Sequence, residues 1–158
     1  MTVSTSHSRF IDAAALAGIE IEVRDFPEGT RTAEDAARAV GVEVGQIVKS
    51  LVFMADGTAV LCLVSGANRL DTARLAAASE AASIQRASAD EAREATCYAI
   101  GGVPPFGHAR DLPVFFDRDL LQYASVWAAA GAPTSVFEIE PARLVAVSGA
   151  IVTDLKEE

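Results

Sequence analysis

Lys49 is the residue whose setting most invites chemistry. The stretch Val44-Gly45-Gln46-Ile47-Val48-Lys49-Ser50-Leu51-Val52-Phe53-Met54 reads as a β-strand entered through a short turn. Side chains repeat every two residues along a strand, so Ile47, Lys49, Leu51 and Phe53 share one face. Val48, Ser50, Val52 and Met54 share the other. Lys49 is therefore a cation in an apolar row, and a charge is costly to bury unless something negative meets it. Either the ammonium snorkels to water along its aliphatic stem, or it waits for an anionic ligand. Ser50, on the opposite face, reads as structural.

A second stretch, Gly101-Gly102-Val103-Pro104-Pro105-Phe106-Gly107, offers complementary groups. Glycine admits positive φ and close backbone approach. Proline removes a backbone donor and stiffens the chain. The loop is either an ordinary stiff turn or a rigid cradle. As a cradle, free amides near Gly101 and Gly102 would hold a carboxylate, phosphate or carbonyl oxygen. No Gly-Lys-Ser/Thr closes it as in a P-loop, and its glycine spacing is not that of a dinucleotide fold. His108, next along, is either a solvated loop histidine or a group that orients substrate.

The elements that must position these residues follow from the chain in order. Residues 6–17 read as a helix stopped by Gly18, and 19–26 alternate as a half-buried strand. Pro27-Glu28-Gly29 turns the chain. Thr32 caps a helix to Val40, with Gly41 as its exit. Asp56-Gly57 signals a hairpin between the Lys49 strand and the apolar run 58–64. Asp71 caps a helix to about Ala78, and Ser83 to Ala87 is a short strand. Ser88 and Glu91 form a capping box for a helix to about Ala95. Strands are expected at 112–116, 126–130 and 135–139, with a helical turn at 117–121. A helix starts at Pro141, and Ile151-Val152 adds a last short strand. Hairpins and helices mix without strict alternation, which points to an α+β fold with a mixed sheet.

Composition narrows the function. The 158 residues suit one domain with a proper core, and a 51% hydrophobic content argues against a disordered chain. With 22 acidic residues against 13 basic ones, the net charge of -9 disfavours non-specific attraction to DNA, RNA or anionic lipid. Cys62 and Cys97 form no CxxC pair, and no metal-ligand spacing occurs. No basic segment followed by an apolar run opens the chain, and nothing approaches the ~18 consecutive apolar residues of a membrane span. A cytoplasmic protein without membrane contact is expected.

Four blocks occur in a telling order: Ile47-Val48-Lys49-Ser50-Leu51, Val64-Ser65-Gly66-Ala67-Asn68-Arg69-Leu70-Asp71, the 101–107 loop, and Ala129-Ala130-Gly131 before Phe137-Glu138-Ile139. Together they resemble the YbaK/prolyl-tRNA-synthetase-associated editing family over about residues 20–155. The resemblance implies one α+β domain across 1–158, with a mixed, partly barrel-like sheet surrounded by helices. It implies a trans-editing hydrolase that deacylates mischarged aminoacyl-tRNA, a small amino acid on tRNA for proline or a related tRNA, without a metal or other cofactor. Lys49 falls on the family's functional lysine. Gly101, Gly102, Pro105 and Gly107 fall on its glycine-proline loop. Ser65, Gly66, Phe106, His108 and Gly131 join these as substrate-binding candidates. Pro104-Pro105-Phe106 and Thr134-Ser135-Val136 depart from the cysteine-clearing branch.

No Ser-His-Asp or Cys-His constellation appears, so electrostatic rather than covalent catalysis is expected. Amides near Gly101 and Gly102 would hold the carbonyl oxygen or the attacking water. Lys49 would meet the terminal phosphate or the developing charge. The partners are the aminoacyl-tRNA acceptor end and, as carrier, a synthetase. Lys49, Arg69 and Arg110 are candidates for a local basic patch. Asn68 and Asp71 read as a turn residue and a helix cap, and Trp127 as core. A non-catalytic module that binds an aminoacyl-adenosine or amino acid, and a small-ester hydrolase, are the competing readings.

Overall fold

The computed structural model describes residues 5–26, 32–108 and 110–158 (for 5–7, the backbone alone). The expected turn at Pro27-Glu28-Gly29 lies outside them. Helix α1 (Thr5–Leu16) ends in Gly18 at φ +78°. The Ile19 N–H bonds to the Ala14 carbonyl at 2.9 Å and the Gly18 N–H to the Ala15 carbonyl at 3.0 Å. This pair is a Schellman closure, and it draws Ile19 into the cap. The strand expected over 19–26 is therefore reduced to β1 (Val23–Asp25).

Local signals account for most other boundaries. Helix α2 (Ala33–Val40) opens on Thr32, whose hydroxyl accepts the Asp35 N–H, and closes on Gly41 at φ +81°. A 3-10 turn (Val44–Gln46) leads into β2 (Val48–Ala55) and β3 (Thr58–Ser65). Asp56 at φ +49° and Gly57 at φ +81° join them, the two positive φ angles that a type I′ hairpin turn demands. Next come α3 (Thr72–Ser79), capped by Asp71, and β4 (Ile84–Arg86). The Ser88–Glu91 capping box opens α4 (Ala89–Thr96). Then follow β5 (Val114–Asp117), a 3-10 turn (Arg118–Gln122), β6 (Val126–Ala129) and β7 (Ser135–Ile139). Helix α5 (Pro141–Ser148) and β8 (Ile151–Thr153) complete the order.

Among the described residues the strands form two sheets, β4-β2-β3-β5-β8 and β1-β7-β6. The larger is mixed: β2 pairs antiparallel with β3 and β4, while β3-β5 and β5-β8 are parallel. A parallel bridge between Ile47 and Trp127 joins the start of β2 to β6. The sheets thus curl around a shared core that includes Phe10, Leu61, Phe116 and Phe137. A second cluster, with Phe53, Cys62, Leu75 and Leu155, covers the other face of β3. Burial on both faces explains the continuous apolar run in that strand. The fold is α+β with a partly closed mixed sheet.

The edge of β2 positions the site. Strand β4 pairs with β2 only at 53–55, and the Ala87 N–H reaches the Val52 carbonyl at 3.1 Å. Strand β6 touches β2 through the Ile47 bridge. Residues 48–51 lie between these contacts and border an opening. Main-chain groups alternate sides along a strand, so those of Ser50 face the same edge as the Val52 carbonyl.

Candidate functional site

The opening along β2 is a cavity of about 290 Å³. Helix α2 contributes Ala33 and Ala36 to its wall, β6 contributes Trp127 to Ala129, and the 100–103 segment contributes Ile100, Gly101 and Val103. Lys49, Ser50 and Arg86 line it as well. Lys49 and Gly101, expected to act together, therefore share one cavity.

Lys49 sits opposite Val64 in the hairpin register. Its ammonium donates to the main-chain carbonyl of Asn68. Burial holds its pKa below the usual 10.5; the carboxylates of Glu34 and Asp117 pull it back up, and Arg69 and Arg86 press it further down. Arg69, named with Lys49 in the expected basic patch, thus acts on it electrostatically, and so does Arg86.

Ser50, read as structural from the alternation, also lines the cavity. It does lie on the face opposite Lys49, but the opening runs along the strand edge, where both faces reach it. Its Oγ is buried and has no hydrogen-bond partner among the described residues. The Trp127 Nε1 is in the same condition, and Trp127 is both core, at 5% exposure, and cavity wall. The Arg24 guanidinium lies 4.8 Å from its ring centroid. A buried polar atom without a partner is rare. No sequence signal marks Ser50; a tryptophan among alanines gave a weak one for Trp127.

The glycine-proline loop divides. Gly101 has φ +91°, the left-handed region where side chains are strained, and it is exposed to the cavity. The Gly102 N–H is not free: it donates to the Ala99 carbonyl at 2.9 Å. A Cβ on Gly102 would lie 3.0 Å from the Ala132 backbone, so its role is close packing of two loops. Pro105 and Phe106 are buried and are not among the cavity's wall residues. The Phe106 ring is 5.0 Å from that of Phe10 on α1 and 6.1 Å from that of Phe137. A Cβ on Gly107 would come within 2.8 Å of the Ala13 Cβ.

His108 is half-buried and is not among the cavity's wall residues. Its Nε2–H donates to the Pro104 carbonyl at 2.7 Å. Burial lowers its pKa below the usual 6.5, partly offset by that bond. Phe106 and Gly107 thus pack toward α1, and none of Pro105 to His108 is among the cavity's wall residues.

Ser65 and Gly66 support β2 from behind. The Ser65 Oγ donates to the Gly45 carbonyl at 2.7 Å. The Gly66 N–H donates to the Ile47 carbonyl at 2.7 Å, and a Cβ on Gly66 would clash with the Val44 carbonyl at 2.4 Å. Gly131, at φ +101°, turns the chain between β6 and β7. None of the three is among the wall residues.

With that geometry in hand, kinship can be stated. The pattern of the aminoacyl-tRNA editing domain matches residues 27–147, and the chain belongs to that family. It is 32% identical over 125 residues to the uncharacterised protein YwhH of Bacillus subtilis, covering 79% of this chain and 80% of that one. It is 27% identical over 124 residues to EbsC of Enterococcus faecalis, described as a candidate Cys-tRNA(Pro)/Cys-tRNA(Cys) deacylase, covering 78% and 76%. A crystal structure of a candidate trans-editing enzyme for prolyl-tRNA synthetase superposes with a TM-score of 0.94 at 47% identity, over 99% of this chain and 100% of that one. Among the described residues no helix is long and apolar enough to cross a membrane.

Proposed function

We propose that this chain is a trans-acting deacylase that hydrolyses the ester between a small amino acid and a mischarged tRNA, that for proline or a related one. Family membership supports the class of reaction. The observation that carries the chemistry is that Lys49 and Gly101 line one cavity. At about 290 Å³ it stands at the lower end of the ~300–1,000 Å³ usual for small-molecule sites. That volume suits a small aminoacyl group.

Attack of water on the ester carbonyl creates a tetrahedral oxyanion, which collapses to the free amino acid as the ribose oxygen leaves and takes up the water's proton. Lys49 meets the terminal phosphate or this developing charge, and the Gly101 amide holds the carbonyl oxygen or the water. The Ser50 hydroxyl, without a hydrogen-bond partner among the described residues, orients the water. The described cavity wall holds no histidine or cysteine, and the Lys49 ammonium is turned to the Asn68 carbonyl on the face opposite Ser50, so we read Ser50 as orienting water and not as a covalent nucleophile. We read residues 1–158 as one editing domain. Its net charge of -9 confines the grip on tRNA to the acceptor end, near Lys49, Arg69 and Arg86, with a synthetase as carrier.

The test is deacylation across a panel of charged tRNAs. Turnover of members carrying small amino acids, dependent on the acceptor end, supports this reading. Binding without turnover on every member would instead assign a non-catalytic binding module. Equal turnover of free amino-acid esters would assign a small-ester hydrolase.

A further inference from the structure

The Lys49 ammonium is held by a network that the editing reading does not use. Its acceptor is the main-chain carbonyl of Asn68. The Asn68 side chain is itself forked: Nδ2 donates to the Asp117 Oδ2 at 2.9 Å and to the Asp119 Oδ2 at 3.0 Å. Asp117 is only 1% exposed. Its Oδ2 also takes the Ser65 N–H at 3.1 Å, and its Oδ1 takes the Asp119 N–H at 3.0 Å. That buried carboxylate, at the end of β5, ties the Asn68 loop to the central sheet.

The other prong is supported from farther along the chain. Lys156 Nζ donates to the Asp119 Oδ2 at 3.1 Å. Its segment is bonded along the Asn68 loop: the Asp71 N–H reaches the Leu155 carbonyl at 2.7 Å and the Glu157 N–H reaches the Arg69 carbonyl at 2.8 Å. Leu155 is fully buried. These residues lie beyond the 27–147 family match, yet they end two hydrogen bonds from the Lys49 carbonyl acceptor.

A lysine on a four-carbon stem samples many rotamers, and holding it in one place costs entropy. A fixed acceptor bears that cost before substrate arrives, which is how supporting groups pre-organise a site. We propose that Asn68 is the positioning residue for Lys49, its amide locked between Asp117 and Asp119, with Lys156 as the outer support of the Asp119 prong. This rests on the reading of Lys49 as the group that meets substrate charge.

The experiment measures kcat/KM for parent, Lys49→Ala, Asn68→Ala, the double variant, Lys156→Ala and Lys156→Arg. The probe is tRNA for proline charged with alanine, cysteine or serine, whichever the parent cleaves fastest. Asn68→Ala is expected to lose about tenfold or more with Lys49 present and nothing further in the Lys49→Ala background, the signature of coupled residues. Lys156→Ala is expected to lose about threefold, and Lys156→Arg to restore the rate, in keeping with a partly exposed ion pair. An equal loss from Asn68→Ala with and without Lys49, or parental rates in both Asn68→Ala and Lys156→Ala, overturns the positioning role while leaving the editing reading intact. A parent inactive on all three substrates, or a fully active Lys49→Ala, overturns that reading and this role with it. Lys156 is at the surface, so its variants test the network even where Asn68→Ala does not fold.

Discussion

Lys49 and Ser50 are neighbours in sequence, lie on opposite faces of β2, and line the same cavity. The strand edge makes this arrangement possible. Over residues 48–51, where the edge of β2 away from β3 lies between its contacts with β4 and β6, a ligand reaches both faces around that edge. A cation and a partnerless hydroxyl are thereby offered to one guest.

Ser50→Ala should separate stability from activity. The Ser50 Oγ is buried without a partner among the described residues, and removing such a group relieves an uncompensated desolvation. Stability should be unchanged or rise by up to about 1 kcal/mol, read by urea unfolding. Deacylation should fall about tenfold or more if the hydroxyl orients the attacking water. Parental turnover would return Ser50 to a structural role.

Arg86→Ala probes the grip on the acceptor end. Arg86 is exposed on β4 and lines the cavity beside Lys49. Loss of one phosphate contact should weaken tRNA binding and reduce the slope of log K against log salt by about 0.7–1. Titrations at several salt concentrations check this; an unchanged slope places the phosphates elsewhere.

The two loop glycines should fail differently. Gly102→Ala forces a Cβ to 3.0 Å from the Ala132 backbone, which cannot rotate away, so a loss of about 1–3 kcal/mol is expected. Gly101→Ala has room, with the Pro133 Cβ 3.8 Å away, but φ is +91°, so backbone strain of about 1–2 kcal/mol is expected. Denaturant midpoints measure both. Gly101→Ala should also alter turnover, since only Gly101 borders the cavity.

His108 predicts an acid-side loss of stability. Its folded pKa is depressed by burial below the usual 6.5, so below that pH the unfolded chain binds a proton that the folded chain resists. Unfolding then gains protons, and stability falls with acidification. The contribution is present above pH 6.5 and is lost as pH drops through the folded pKa. Melting temperature against pH in His108→Gln should show a shallower decline below about pH 6.5 than the parent. Identical slopes would contradict it.

Legibility in the sequence followed the range of the forces involved. Short-range signals were readable: the Thr32, Asp71 and Ser88 caps, the Asp56-Gly57 turn and the proline start of α5 all act within a few residues. Lys49 was readable because a charge in an apolar strand row violates a strong rule. Ile19 was not, because a helix closure competed with strand pairing for it. The packing of Phe106 and Gly107 was not, because their partner is α1, about 90 residues earlier in the chain and outside any local window. Asn68 looked like a turn residue because its two carboxylate partners, Asp117 and Asp119, arrive from β5 and the turn after it.

The most direct test of the whole account is single-turnover deacylation of alanine-charged tRNA for proline by the parent and by Lys49→Ala, with circular dichroism on both. The account predicts the same folded spectrum and a rate lower by about 10²–10³, the usual cost of removing one electrostatic donor from such a site. A folded Lys49→Ala protein that cleaves the ester at the parental rate would contradict it.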